Sequence, residues 1–121
     1  MEGGIVAMEG LLATNRMPTA VMCSNDMTAI GGLHKLYRAG LRVPDDFSII
    51  GFDNIHIAEV TIPPLTTVEL SRLDLARAAV TALREQVEFI EEFAKKDEFS
   101  IRTNLVVRES TSFPRKNYNF S

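Results

Sequence analysis

The chain holds a single cysteine, Cys23. No intrachain disulfide is therefore possible, and a cytosolic home is natural. No apolar run approaches the roughly 18 residues of a membrane span. The N-terminus lacks the basic region and apolar stretch of a secretion signal. These absences predict a cytoplasmic protein with no membrane partner. Only two histidines are present, His34 and His56. Neither stands at metal-ligand spacing to a Cys, Asp or Glu pair, so no metal or cofactor site is expected. A glycine-rich phosphate loop and a serine elbow are both missing. So is any evident pairing of histidine with carboxylate, and catalysis has no support. Lysine and arginine number 13 against 16 acidic residues, for a net charge of −3. Nucleic-acid contact by this segment is not expected, because it needs clustered basic side chains.

What is present describes an ordinary soluble domain. The 121 residues are 45% hydrophobic and 24% charged, enough to bury one core. A helical pattern over 3–13 carries Ile5, Met8, Leu11 and Leu12. An α/β domain opening on a helix is expected to lack its first strand. Met17-Pro18 breaks that helix, since the residue before proline disfavours helical backbone. Residues 19–23 then read as a short buried parallel strand. Ser24-Asn25-Asp26 supplies helix N-caps. The helix that follows carries Met27, Ile30, Leu33, Leu36 and Tyr37 and ends at Gly40. Gly31-Gly32 inside it is unusual, since each glycine costs about 1 kcal/mol relative to alanine there. Close approach of another backbone, or of a partner subunit, would account for the pair.

Val43-Pro44-Asp45-Asp46 predicts a turn, and residues 47–52 a second buried strand. Pro63-Pro64 marks a rigid connection before a third extended segment, 65–68. The longest helix is expected over 73–96. Its apolar stripe is Leu73, Ala76, Val80, Leu83, Val87, Ile90 and Ala94, and Glu88, Glu91 and Glu92 lie on a solvated face. A last strand is expected over 101–108, followed by a polar tail. Helices alternating with short apolar strands predict a three-layer, parallel-sheet α/β fold of Rossmann-like character.

Ligands of such sheets bind outside the carboxyl ends of the strands. Asn25, Asp26, Asp53 and Asn54 all fall there. A carboxylate at Asp53 can accept paired hydrogen bonds from sugar hydroxyls or the N–H groups of a base; an Asx turn or helix cap explains it equally. Asn25 offers both donor and acceptor to a polyol, or acts simply as a cap. Asp26 reads as a cap, an interdomain contact or a ligand contact. Cys23 has no basic neighbour to lower its pKa and reads as a buried, inert thiol.

Several motifs carry a family resemblance. They run from Pro18-Thr19-Ala20-Val21-Met22-Cys23-Ser24-Asn25-Asp26 through Ala29-Ile30-Gly31 to Gly40-Leu41-Arg42-Val43-Pro44-Asp45-Asp46-Phe47-Ser48-Ile49-Ile50-Gly51-Phe52-Asp53-Asn54. Pro63-Pro64-Leu65-Thr66-Thr67-Val68 and Leu105-Val106-Val107-Arg108-Glu109-Ser110-Thr111 complete the set. In order and spacing the chain resembles the LacI/GalR family of bacterial transcription regulators. The resemblance implies a periplasmic-binding-protein-like core of two α/β subdomains with an effector, a sugar, nucleoside or purine, between them. It maps effector contacts onto Asp53 and Asn25, with Asp26 beside them. It maps a dimer interface onto Ile30, Gly31 and the stretch 57–62, including Ile57, Thr61 and Ile62. Two positions depart from the family. Leu70-Ser71 stands where Gln-Pro is common, which removes a polar effector contact, and Ala76 replaces a usual glycine.

The family's DNA-reading head, hinge and most of the first subdomain have no counterpart in these residues. The resemblance then divides the chain in three. Residues 1–67 form an incomplete C-terminal subdomain, 68–103 a crossover strand and helix that normally pack on the absent subdomain, and 104–121 a return strand and tail. The expectation is the effector-sensing and homodimerising part of a transcription regulator that meets DNA only through the absent head. A transport solute-binding protein and an α/β enzyme using Asp53 are the alternatives.

Overall fold

A computed structural model describes residues 1–14, 17–88 and 100–114, with the side chains of 86–88 left aside. Its elements are α1 (Glu2–Leu12), β1 (Ala20–Met22), α2 (Asp26–Arg38), β2 (Ser48–Phe52), a 3-10 turn (His56–Glu59), β3 (Thr66–Leu70), α3 (Arg72–Glu88) and β4 (Thr103–Val106). The strands form one sheet in the order β1-β2-β3-β4. Strands β1 and β2 pair in parallel with Val21 opposite Ile49, and β2 and β3 pair in parallel with Gly51 opposite Thr67. This is the mixed α/β architecture with a mainly parallel sheet that helix–strand alternation predicts.

The chain divides into two compact units. One comprises 1–69 and 105–121, the other 70–104. The first holds the hydrophobic core: Met8, Ala29, Leu33, Leu36, Phe47, Ile49, Ala58 and Leu65. These residues bring α1, α2, β2 and the 3-10 turn around a single apolar centre.

Local chemistry explains the boundaries of α2. The Asn25 side chain accepts a hydrogen bond from Thr28 N–H at 2.8 Å, which satisfies one free donor of the first turn. At the other end Gly40 takes φ +74. Gly40 N–H donates to Tyr37 O and Leu41 N–H to Leu36 O, each at 3.0 Å, closing the helix as a Schellman motif.

The glycine pair of α2 has two different roles. A Cβ at Gly31 would stand 2.1 Å from the Met1 carbonyl oxygen, so α1 of the same chain makes the close approach. Gly4 on α1 answers it, where a Cβ would stand 2.0 Å from Thr28 O. Gly32 instead faces the sheet, against Ile49 and Met8. Lys35 donates to Glu9 at 2.7 Å along the same helix pair, and this contact holds the Glu9 carboxyl below its ordinary pKa.

The segment after β4 locks into the sheet. Ile49 N–H donates to Ser110 O at 2.9 Å. The fully buried Ser110 hydroxyl donates to Ile49 O at 2.6 Å and accepts from Thr66 N–H at 2.8 Å. A residue just past the expected last strand, Ser110, thus forms a clamp across the amino ends of β2 and β3.

In the second unit, Ser71 caps α3 by accepting from Asp74 N–H at 3.2 Å. Leu73, Val80 and Leu83 of the expected stripe are exposed. Ile90, Glu91, Glu92 and Ala94 of the expected helix and the expected polar tail lie outside the described residues, as do the side chains of Val87 and Glu88.

Candidate functional site

The carboxyl ends of β1 and β2 are stitched together by one carboxylate. Asp26 is 0% exposed. Its Oδ1 accepts from the Thr67 hydroxyl at 2.5 Å and its Oδ2 from Ile55 N–H at 2.8 Å. A buried carboxylate is tolerable only when its oxygens are partnered in this way. The same group explains Gly51. A Cβ there would fall 2.0 Å from Asp26 Oδ1, so the motif Gly-Phe-Asp begins with glycine because Asp26 fills the space. The Asn25-Asp26 and Asp53-Asn54-Ile55 segments are neighbours for this reason.

Above Asp26 the chain turns through an unusual corner. Asp53 has φ 106 and Asn54 φ 50, both in the left-handed region that residues with a Cβ rarely enter. Asp53 N–H donates to Val68 O at 2.9 Å. Asn54 is held at its backbone N–H and at both ends of its side-chain amide. Its N–H donates to Thr67 Oγ1 at 3.3 Å, its Nδ2 to Glu69 Oε1 at 3.1 Å, and its Oδ1 accepts from Arg108 Nη2 at 2.7 Å. The Asp53 side chain is different: it is exposed and makes no hydrogen bond or ion pair among the described residues. A conformation of this kind costs about 1–3 kcal/mol and persists where the surroundings over-determine it, which is common at ligand contacts.

Asn25 is half-buried, and its Oδ1 serves the helix cap. Cys23 precedes these residues; it is half-buried, and burial raises its thiol pKa, which disfavours the reactive thiolate. Among the described residues no group of three or more His, Cys, Asp or Glu side chains could hold a metal ion. No described helix is long and apolar enough to cross a membrane.

The residues singled out for a partner surface fall in two places. Gly31 is covered by α1 of the same chain, and Ile30 is half-buried against the core. Ile57 and Ile62 are exposed, Ile62 at 96%, and Val60 between them is exposed too. The Thr61 hydroxyl is engaged internally, donating toward Pro63 O at 2.8 Å and Ala58 O at 3.1 Å. Sequence reasoning did not single out Thr67, Glu69 or Arg108. Each lies on or next to an apolar strand, and only the three-dimensional pairing brings them to the corner.

Residues 2–111 match the family model described as periplasmic binding protein-like domain. The chain belongs to that family. One relative is the HTH-type transcriptional repressor PurR of Mannheimia succiniciproducens, 41% identical over 109 residues. That match takes in 90% of this chain and 32% of the repressor, so the chain spans about a third of the length of the curated relatives it matches. Among solved structures, a LacI-type transcription regulator from Bifidobacterium animalis aligns with TM-score 0.76 and 36% identity. It covers 91% of this chain and 39% of its own. A LacI family regulator from Enterococcus faecium with bound ribose aligns with TM-score 0.74 and 32% identity, over 95% and 41% of the two chains. These family members are transcription regulators, as the strand-end motifs had implied.

Proposed function

We propose that this chain is part of the effector-binding domain of a LacI-type transcription regulator, and that it carries one wall of the effector site. The observation that carries the reading is the Asp53 carboxylate. It is exposed and has no partner among the described residues, and it stands on a strained corner at the carboxyl end of a parallel strand. Such a group accepts hydrogen bonds from vicinal hydroxyls or from the N–H groups of a base. Sugars and nucleoside-like molecules are therefore its proposed partners. The ribose in the Enterococcus faecium regulator is of that chemistry.

Asn25 is the second contact, through whatever its cap leaves available. Asp26 acts from below: both of its oxygens accept from the protein, so it positions the two contact segments. The partner face is a second copy of this chain, meeting across Ile57, Val60 and Ile62. Residues 70–104 belong with the family's other subdomain, and DNA is reached through a head elsewhere in the whole protein. In that protein, effector binding biases the spacing of two DNA-reading heads, a coupling between distant sites. The whole regulator works in the cytoplasm and catalyses no reaction.

One wall alone binds weakly. Titration calorimetry of the chain against a panel of sugars and nucleosides is expected to give no dissociation constant tighter than about millimolar, near −4 kcal/mol. A micromolar ligand for the isolated chain would contradict the one-wall reading.

A further inference from the structure

Arg108 lies outside both strand-end motifs and outside the exposed apolar face, yet its guanidinium reaches toward each. Nη1 donates to Leu65 O at 2.8 Å, and Nη2 donates to Asn54 Oδ1 at 2.7 Å. The same Nη2 stands 3.3 Å from Glu59 Oε1, on the 3-10 turn. The Arg108 side chain is 14% exposed, against 55% for Glu59. Its base is fixed as well. Arg108 N–H donates to Thr66 Oγ1 at 2.9 Å, two residues before the buried Ser110 clamp. The planar fork is therefore aimed at the corner, with little freedom to look elsewhere.

The corner needs such a partner. Asn54 can enter the left-handed region more easily than most residues, because its short amide makes local hydrogen bonds. Asp53 at φ 106 has no comparable side-chain anchor among the described residues. What keeps the pair in place is the Asp53 N–H bond to Val68 O and the set of bonds to Asn54, the shortest of which comes from Arg108. The same Nη2 also touches the turn that leads into Val60 and Ile62.

We propose that Arg108 is a positioning residue. It holds the Asp53-Asn54 corner in its left-handed conformation and ties that corner to the His56–Glu59 turn. The functional weight of this rests on the reading of Asp53 as an effector contact; the geometry itself does not. A ligand that draws on Asp53 and moves Asn54 then changes the pull on Glu59. A change at the partner-facing turn acts back on the corner to the same extent, as binding linkage requires.

The test uses the whole chain without any ligand. Arg108→Lys keeps the charge and loses the fork. Glu59→Gln leaves the Arg108–Asn54 bond and weakens only the contact that the same Nη2 makes to the turn. The readout is NMR: the strong intraresidue HN–Hα cross-peaks that positive φ produces at Asp53 and Asn54, and the amide shifts across the molecule. Arg108→Lys is expected to abolish the two cross-peaks and shift the amides of 56–62, while those of α1 and the middle of α2 stay in place. Glu59→Gln is expected to shift the amides of Asp53 and Asn54. Cross-peaks that survive in Arg108→Lys, or a corner blind to Glu59→Gln, would overturn the proposal. If Arg108→Lys does not fold, Glu59→Gln decides alone by the same criterion. A responsive corner together with no amide shifts at residues 24–26 and 53–54 on NMR titration with millimolar ribose or a nucleoside would sink the effector reading and leave the positioning role standing.

Discussion

Replacing Gly51 by alanine sets the most demanding condition on the geometry beneath the site. The new methyl would fall 2.0 Å from Asp26 Oδ1 and 3.0 Å from Leu65 Cδ2. Neither neighbour is the loose end of an exposed side chain: Asp26 and Leu65 are both 0% exposed. The carboxylate must move, and moving it breaks the bonds from Thr67 Oγ1 and Ile55 N–H. Losing such bonds costs on the order of 1–3 kcal/mol each, and overpacking a dense core adds about 1–3 kcal/mol. The expected loss for Gly51→Ala is about 3–9 kcal/mol, a large part of the roughly 5–15 kcal/mol that stabilises a typical domain. Urea unfolding followed by circular dichroism measures it. Asp26→Ala removes the obstacle together with its bonds. In that background the Gly51→Ala change should add less than about 1 kcal/mol, a coupling expected only of residues in direct contact. A Gly51→Ala penalty below about 1 kcal/mol in the parent, or full additivity with Asp26→Ala, would refute the account of how the two segments are joined.

Other outcomes follow from the same geometry. Asp53→Gly should raise stability by about 1 kcal/mol, since glycine relieves the strain of φ 106 at a smaller entropic penalty; a loss in urea unfolding would contradict this. Gly31→Ala should cost at least about 2 kcal/mol because α1 must lift away, whereas Gly10→Ala, with open space around it, should gain up to about 1 kcal/mol. The two are compared by their urea midpoints. Ile62→Glu, at a 96% exposed position, should leave stability within about 0.5 kcal/mol. It should abolish self-association by light scattering, and a monomeric parent chain would remove the basis for the interface. Glu9 has a depressed pKa in the folded chain, so its contribution is present above its ordinary value near 4.5 and is lost as pH falls through the lower folded value. Glu9→Gln should therefore lower stability slightly at neutral pH and leave it unchanged at the acid end, with the difference shrinking in high salt.

Much of the architecture was legible because it follows from local chemistry. The cap at Asn25, the stop at Gly40 and the strands around Ile49 and Thr66 are written in residue type and period. The boundaries shifted by one to three residues, where neighbouring segments compete for the same hydrogen bonds. Residues 65 and 108 show this: expected inside strands, they lie just outside them, with Arg108 turned to the corner. Gly31 illustrates a different limit. A close backbone approach was readable from the glycine, but whether the approaching backbone came from the same chain was not. Asp26 and Asp53 look alike in sequence, each an acid just past a strand. Only packing separates them, burying one beneath Gly51 and leaving the other open on a strained corner. Arg108 sits within one of the family motifs, but its role is not legible there, because its partners Asn54 and Glu59 are 54 and 49 residues away in sequence.

The central claim is that Asp53 and Asn25 form one wall of an effector site. It is tested most directly by NMR titration of the chain with ribose and with a nucleoside at millimolar concentrations. Saturable amide shifts confined to residues 24–26 and 53–54, lost in Asp53→Asn, are the predicted result. Shifts centred elsewhere, or a response that Asp53→Asn leaves unchanged, would contradict it.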